Sequence, residues 1–585
     1  MATKIDHGTA DIARGIEQDR ELRAPHPLRG DPAFRIPLLP AAALGVLAFA
    51  CSAAVGFASA RHTGSLAFPI DDAYIYSNYV LSASQGHPFT YNAGEVSGGI
   101  TGLAWYIMLL LAYWLLAPFH TLLGGLAPDT VGQNAQLAQQ AGHLYLAAYL
   151  AGAVCLALTA VGVYWLASLA LPPAHSKPLA RNALCWLLGA AAAADLGLVW
   201  GAMSGLEVSL SAAVSVWAIA FLLAEVRRGR LRVALLLAAL LPWARPDLLA
   251  IGFAGLVWLV WRAVREAGAQ ARRPPFAMAG AYLLALVAGF GAMSLVYYLG
   301  WGKPLPSSFY AKVSVLRLSG KFFAAAQEFV IAGRFLPFVA GALAMAGGIL
   351  QWLAPARSSE EGTSRRESSL AALLLLLVSV IYTAALMVTL PWFGQEDRYL
   401  LPLHPFVIVL LGMLAWRILG GLPLERPLAQ RSIVFLGGLG LIVLLALGDY
   451  VWATRVYAVE VRNIEDAHIK PALWIAASTP ADSVVASEPI GAVKLFSGRR
   501  TVDLVGLTTP ATLGTFEDWP RAWPALKAQN AAYLLFYPDW FTGHKPPGWA
   551  SESARFQIPD NRIAGADVIA VYELDWDRFA SSSAP

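Results

Sequence analysis

The residues best equipped for chemistry stand in "PIDDAYIYSNYV", residues 69–80, where Asp71 and Asp72 lie side by side next to three tyrosines. A single aspartate there reads as a helix N-cap, and a second in the first turn is favoured by the helix dipole. A pair asks for more, because adjacent carboxylates at a low-dielectric edge repel unless a cation, a metal ion or an acceptor hydroxyl stands between them. One of them could take a proton from a hydroxyl nucleophile, or the two together could hold a divalent metal ion. Asp71, at the helix start, is the expected base, with Asp72 orienting it or holding the metal.

The elements that must position this pair belong to a membrane. The chain has 585 residues, 57% of them hydrophobic and 14% charged, whereas soluble domains carry about 25% charge. A net charge of +4 is too small to argue for nucleic acid. Cys51, Cys155 and Cys185 all lie in apolar runs and read as small buried hydrophobes. Residues 1–35 form a polar tail, expected to be cytoplasmic. The first apolar run, 36–58, is long enough to span and follows a long stretch of mixed charge, so it reads as a membrane helix rather than a cleaved leader.

Further apolar runs occupy 100–121, 142–170, 181–201, 206–224, 231–244, 247–263, 277–300, 327–353, 369–391, 399–420 and 431–453. If 100–121 is a re-entrant or surface helix, the strongly basic connections (Lys177/Arg181, Arg227–Arg232, Arg262–Arg273, Arg357–Arg366, Arg417–Arg431) all become cytoplasmic. The positive-inside rule therefore favours eleven spans within a transmembrane unit 36–453, a first outer loop 59–141, an internal N-terminus and an external C-terminus. After residue 454 short β-branched and aromatic runs, "SVVAS", "TVDLVGL", "AAYLLFYP" and "DVIAVYEL", indicate an extracytoplasmic α/β domain, 454–585, led in by a helix-like "EDAHIKPALWIAAS". With this sidedness "PIDDAYIYSNYV", "MSGLEVS", "WARPDLL", "KPLPSSFYAKVS" and "PWFGQEDRYLLP" all fall on the outer face. Ionisable residues at membrane depth are costly and usually functional, so this outer rim is the expected site.

The Asp-Asp helix, the loop "GHPFTYNAGE" and an apolar helix opening with "TGLAW" resemble the first outer loop of GT-C fold glycosyltransferases, closest to arabinofuranosyltransferase-like members that take a sugar from a polyprenyl phosphate. "SGLE", "ARPD", "PSSFYAK", "DRYLLPLHP" and "GAVKLFSGRRTVDLVGL" resemble later outer-face signatures of that group, in order over residues 65–510. Two departures stand out: Ser308 where a Thr is expected, and "SEPIGAV" in place of a more Asp/Gly-rich turn around Glu488. The resemblance implies a multi-pass glycosyltransferase of a bacterial inner (plasma) membrane. It implies transfer of a sugar, with arabinofuranose as one choice, from a polyprenyl-phosphate donor to a hydroxyl of an extracytoplasmic glycan or protein. A transporter or flippase of lipid-linked glycans is the alternative, and would place polar groups at mid-membrane.

An anionic lipid phosphate needs fixed cations at the bilayer surface, with Arg suited to bidentate contact and Lys to a point charge. Arg245, Lys312 and Arg398 are the candidates, and Lys303 is better read as snorkelling to the interface. Arg245 beside Asp247 and Arg398 beside Asp397 could instead be buried ion pairs that fix their loops. Tyr74 and Tyr76 could stack on a sugar, line the lipid path or serve as interface anchors. With Glu95, Glu207, Asp247, Tyr310 and Tyr399 they complete the expected substrate-contacting set. His87 and His404 read as structural, because neither has a second ligand at a metal-binding spacing.

Overall fold

The computed structural model describes residues 36–64, 66–122, 134–172, 178–266, 275–312, 359–390, 395–421, 453–515 and 519–582, with the isolated positions 346 and 451. The expected tail 1–35 and the apolar runs 327–353 and 431–453 lie outside these residues, apart from positions 346, 451 and 453.

Apolar sequence becomes helix because a backbone in lipid must satisfy its own hydrogen bonds. In chain order the helices are α1 (Leu38–Thr63), α2 (Asp72–Ser84), α3 (Leu103–Leu116), α4 (Ala135–Ala170), α5 (Pro178–Ala194), α6 (Leu196–Met203), α7 (Val208–Arg227), α8 (Val233–Ala244), α9 (Leu249–Glu266), α10 (Pro275–Trp301), α11 (Ser307–Lys312), α12 (Ser359–Thr389) and α13 (His404–Gly421). Seven described helices are long and apolar enough to cross a membrane, and α5 with α6 makes an eighth across a 47° bend. The expected count of eleven is not established. Two of its runs are undescribed, and α8 has only 12 residues. The bend falls at Asp195, whose side chain caps α6 through the Leu198 N–H at 2.9 Å and accepts a bond from His404 of α13 at 2.9 Å.

The run 100–121 folds as the 14-residue α3 and a 3-10 extension. At about 1.5 Å per residue α3 is near 21 Å, short of a core about 30 Å thick. Its exposed face carries Leu111, Trp114 and Leu115. The helices pack closely where side chains are small: a Cβ on Gly152 of α4 would sit 1.9 Å from the Ala202 carbonyl oxygen of α6.

Beyond helix α14 (453–464) and a π turn (Glu465–Ile469), α15 (Lys470–Ser478) leads into a five-stranded sheet. After β1 (Thr90–Asn92) and β2 (Glu95–Val96) of the outer loop, its strands are β3 (Val484–Ser487), β4 (Arg500–Asp503), β5 (Tyr533–Phe536), β6 (Ala550–Gln557) and β7 (Val568–Leu574), in the order β4-β3-β5-β7-β6. β3 pairs in parallel with β4 and β5, β5 runs antiparallel to β7, and β7 antiparallel to β6. The parallel pairing of β3 and β4 needs a crossover, which α16 (Ile490–Ser497) supplies. Alternate residues face opposite ways: Val485, Leu535 and Val571 pack on one side and Ala486, Leu534 and Tyr572 on the other.

The outer loop is bolted to this domain. The Asn78 amide donates to the Gly491 carbonyl (2.9 Å) and the Tyr91 hydroxyl to that of Ile490 (2.7 Å). The Asn92 amide exchanges two bonds with the backbone of Thr501, at 2.9 and 3.1 Å, much as a neighbouring strand would.

Candidate active site

The helix start gives the two aspartates different surroundings. Asp71 is the N-cap residue of α2 but makes no capping bond to it. Its carboxylate instead caps α16, accepting the Gly491 and Ala492 N–H groups at 2.7 and 2.9 Å, with the His468 ring nitrogen Nδ1 at 3.2 Å. The free N–H groups and dipole at a helix N-terminus favour an anion there. Gly491 is required by the approach, since a Cβ on it would lie 2.3 Å from the Asp71 carbonyl oxygen. Asp72, one residue on, faces a cavity of about 430 Å³. Its side chain is 33% exposed against 13% for Asp71, and its Oδ2 accepts from Arg398 at 2.7 Å. The adjacent acids avoid repulsion by having different partners.

Asp72, Tyr76, Glu207, Arg245, Asp247, Arg398 and Tyr399 line the polar part of the cavity. Arg245 is 2% exposed and clamps Asp247 with two bonds, 3.0 and 2.9 Å, with Glu207 at 3.7 Å. The Tyr382 hydroxyl donates to Asp247 at 2.7 Å and lies 3.0 Å from the Tyr399 carbonyl oxygen, tying the "ARPD" and "DRYL" loops together. The guanidiniums of Arg245 and Arg398 both lie over the Tyr399 ring, 4.7 and 5.4 Å from its centre. Apart from Thr101, Ser308 and Thr389, the rest of the lining is apolar, including Leu249, Ala250, Phe290, Ala385, Leu386 and Leu390 from α9, α10, α12 and the end of α12.

Tyrosine hydroxyls hold the wall formed by 97–102. Tyr76 accepts the Gly102 N–H at 2.8 Å, Tyr79 accepts that of Gly99 at 2.9 Å, and Tyr297 donates to the Ile100 carbonyl at 2.7 Å. Thr101 and Ser308 meet hydroxyl to hydroxyl at 2.9 Å on the cavity surface. Ser307 donates to the carbonyl of Leu507, so the C-terminal domain closes one side. The Leu507 loop is arranged by buried Asp503, which accepts the Val505 and Thr508 N–H groups at 2.8 Å each. Burial pushes the Asp503 carboxyl up to about 6, against those N–H groups, which lower it.

The structure leaves other expected residues outside the cavity. Tyr74 is fully buried, with its hydroxyl 3.2 Å from both the Tyr145 hydroxyl and the Phe68 N–H. Glu95 pairs with Arg500 of β4 at 2.6 Å and accepts from Asn92 at 3.0 Å, which makes it part of the domain junction. Lys312 and Tyr310 are absent from the lining. Tyr310 instead shares with Trp301 the ammonium of Lys303, 5.1 and 5.3 Å from the two ring centres. Asp397 does not take the part of Arg398's partner; Asp72 does. Asp71 and Asp72, the expected metal pair, have different partners, and among the described residues no three His, Cys, Asp or Glu side chains converge on a point that could hold a metal ion. Thr101, Tyr382 and Asp503 were not singled out in the sequence, where a lone hydroxyl or a strand-end acid carries no local signal.

Residues 458–577 match the model of a domain of unknown function, DUF8728. No curated protein matches the chain. Among solved structures, the apo oligosaccharyltransferase of Archaeoglobus fulgidus is similar over 91% of this chain and 76% of its own, at 12% identity and TM-score 0.50. ArnT from Cupriavidus metallidurans bound to undecaprenyl phosphate is similar over 90% and 97%, at 17% identity and TM-score 0.48. The mycobacterial arabinofuranosyltransferase AftD is similar over 90% of this chain and 41% of its own, at 14% identity and TM-score 0.40. The chain has the GT-C architecture, a polytopic helical membrane unit followed by a C-terminal domain.

Proposed function

We propose that the protein is a membrane glycosyltransferase that moves a sugar from a polyprenyl-phosphate donor to a hydroxyl of an extracytoplasmic glycan or protein. The observation that carries this reading is one cavity of about 430 Å³ whose lining combines carboxylates and two buried arginines with apolar side chains of three membrane helices. A lipid-linked phosphate has a matching combination, an anionic head on a hydrocarbon chain. The resemblance of the outer-loop motifs points the same way.

Asp72 is the general base. It accepts the proton of the acceptor hydroxyl as the new bond forms between that oxygen and the anomeric carbon, and the bond from that carbon to the phosphate oxygen breaks. Polyprenyl phosphate leaves with the bonding pair. Arg398 orients Asp72 and, with Arg245, faces the charge that develops on the phosphate. Tyr76, Glu207, Asp247 and Tyr399 surround the sugar. Asp71 and Glu95 act one layer out, holding the C-terminal domain against the loop. The site lies on the outer face of a bacterial inner membrane, with the N-terminus cytoplasmic.

Lipid profiling of a strain lacking the protein tests this reading. A polyprenyl-phosphate sugar should accumulate while one surface glycan loses that sugar. Unchanged lipid-linked sugars and unchanged glycans would contradict it.

A further inference from the structure

Two hydroxyls on the cavity wall have bonding capacity that the protein does not use. Thr101 Oγ1 and Ser308 Oγ lie 2.9 Å apart, both half-buried and both in the lining. Each hydroxyl carries one proton and two lone pairs. Their mutual bond takes one proton, and neither oxygen has another hydrogen-bond partner among the described residues. One proton and most of the lone pairs therefore remain for whatever enters the cavity. Thr389, also in the lining, differs, since its proton goes to the Ala385 carbonyl of its own helix at 2.7 Å. The Thr101–Ser308 pair is also held in place. The Ser307 N–H donates to the Gly98 carbonyl at 2.9 Å, the Ser307 hydroxyl donates to the Leu507 carbonyl, and the Tyr297 hydroxyl lies 3.0 Å from the Thr101 carbonyl oxygen. Fixed hydroxyls lose little freedom when a ligand binds. Their place is beside the residues proposed to surround the sugar: Gly102 gives its N–H to Tyr76 at 2.8 Å, and a Cβ on it would lie 3.1 Å from the Cβ of Glu207.

We propose that Thr101 and Ser308 form an uncharged subsite for two adjacent hydroxyl groups of a sugar, and that this pair helps determine which sugar the protein accepts. The subsite rests on the glycosyltransferase reading above. Two protein hydroxyls at hydrogen-bond distance match two ligand hydroxyls on neighbouring carbons, because the four O–H groups close a ring in which each donates once and accepts once. Bonds in such a chain polarise one another, which strengthens the set. The charged side chains of the cavity are already engaged, Asp72 with Arg398 and Arg245 with Asp247 and Glu207. A sugar lacking one of the two hydroxyls leaves the ring open and a bonding group of the pair without its partner, which disfavours it. Adjacent hydroxyls occur on a donor sugar and on an acceptor glycan alike, and the arms of the test separate these sources.

The test compares the purified full-length parent with Ser308→Ala and Thr101→Val, and with Ser308→Thr and Thr101→Ser, which keep the hydroxyls. The probes are undecaprenyl phosphate and the polyprenyl-phosphate sugar extracted from a strain lacking the protein, and the envelope of that strain is the acceptor. Ser308→Ala and Thr101→Val should each bind the extracted sugar lipid about 2- to 10-fold more weakly than the parent, the worth of one neutral hydrogen bond. Undecaprenyl phosphate binding and melting temperature should stay as in the parent, and Ser308→Thr and Thr101→Ser should bind the sugar lipid better than the variants without the hydroxyl. Sugar lipid treated with periodate, which cleaves between adjacent hydroxyls, should bind parent and variants alike. That pattern puts the paired hydroxyls on the donor. Unchanged donor binding, with transfer at limiting acceptor slowed by the same factor, puts them on the acceptor glycan, and periodate treatment of the envelope should then erase the difference. Equal binding and equal transfer by all the chains would overturn the subsite, as would an equal loss of bare undecaprenyl phosphate binding, which makes the hydroxyls part of the wall alone. No transfer by the parent from the extracted lipid would sink the transferase reading, and the subsite with it.

Discussion

Replacing Asp71 by Asn should damage the junction between the outer loop and the C-terminal domain rather than the chemistry. The carboxylate is 13% exposed and accepts two backbone N–H bonds from the first turn of α16. Asn retains one acceptor oxygen and turns an amide donor toward the other N–H. One bond to a charged group is lost, worth about 1.5–3 kcal/mol. Hydrogen exchange reads this locally: protection of the Gly491 and Ala492 amides should fall roughly 10- to 150-fold, since each 1.4 kcal/mol is about a factor of ten. The membrane helices should keep their protection. Transfer should decline only as far as the domain detaches. Unchanged protection at 491 and 492 together with abolished transfer would refute the reasoning and make Asp71 the base.

The two buried arginines should separate. Arg245→Ala leaves Asp247 and Glu207 without their cation and should cost about 3–5 kcal/mol of stability, seen as a lowered melting temperature, whereas Arg398→Ala should keep more of the fold and lose about 1.5–3 kcal/mol of polyprenyl-phosphate affinity by titration. Gly491→Ala should loosen the same junction as Asp71→Asn, because its methyl would lie 2.3 Å from the Asp71 carbonyl oxygen; faster proteolysis between the two units checks it. Cysteine placed at Gly124 or Gln133 should react with an impermeant thiol reagent from outside, and cysteine in 358–364 should not; protection of both outer positions would make 100–121 a span.

Much of this was legible in the chain because membrane helices advertise themselves by length and apolarity, and because charge is rare enough there to be conspicuous. Asp72, Glu207, Arg245, Asp247 and Arg398 stood out for that reason, and Tyr399 through its motif, and the fold places all of them on one cavity. The division of labour within the Asp pair was not legible. It depends on α16, more than 400 residues away, whose N-terminus claims Asp71. Glu95 misleads for the same reason, since its partner Arg500 belongs to another unit. The "SEPIGAV" turn, which departed from the family pattern, contains the glycine that makes this approach possible. Strand β6, "ASESARFQ", carries only a weak apolar signal because it is an edge strand with mostly exposed side chains. Sheet neighbours, rather than its own composition, make it a strand.

The central claim is that Asp72 takes the proton in sugar transfer. Transfer by purified Asp72→Asn protein from a polyprenyl-phosphate sugar tests it directly, with undecaprenyl phosphate binding and melting temperature measured on the same sample. Asn keeps the shape and removes the proton acceptor, so turnover should fall about 10²- to 10⁴-fold while the lipid phosphate still binds. Near wild-type turnover by a folded, lipid-binding Asp72→Asn protein would contradict the account.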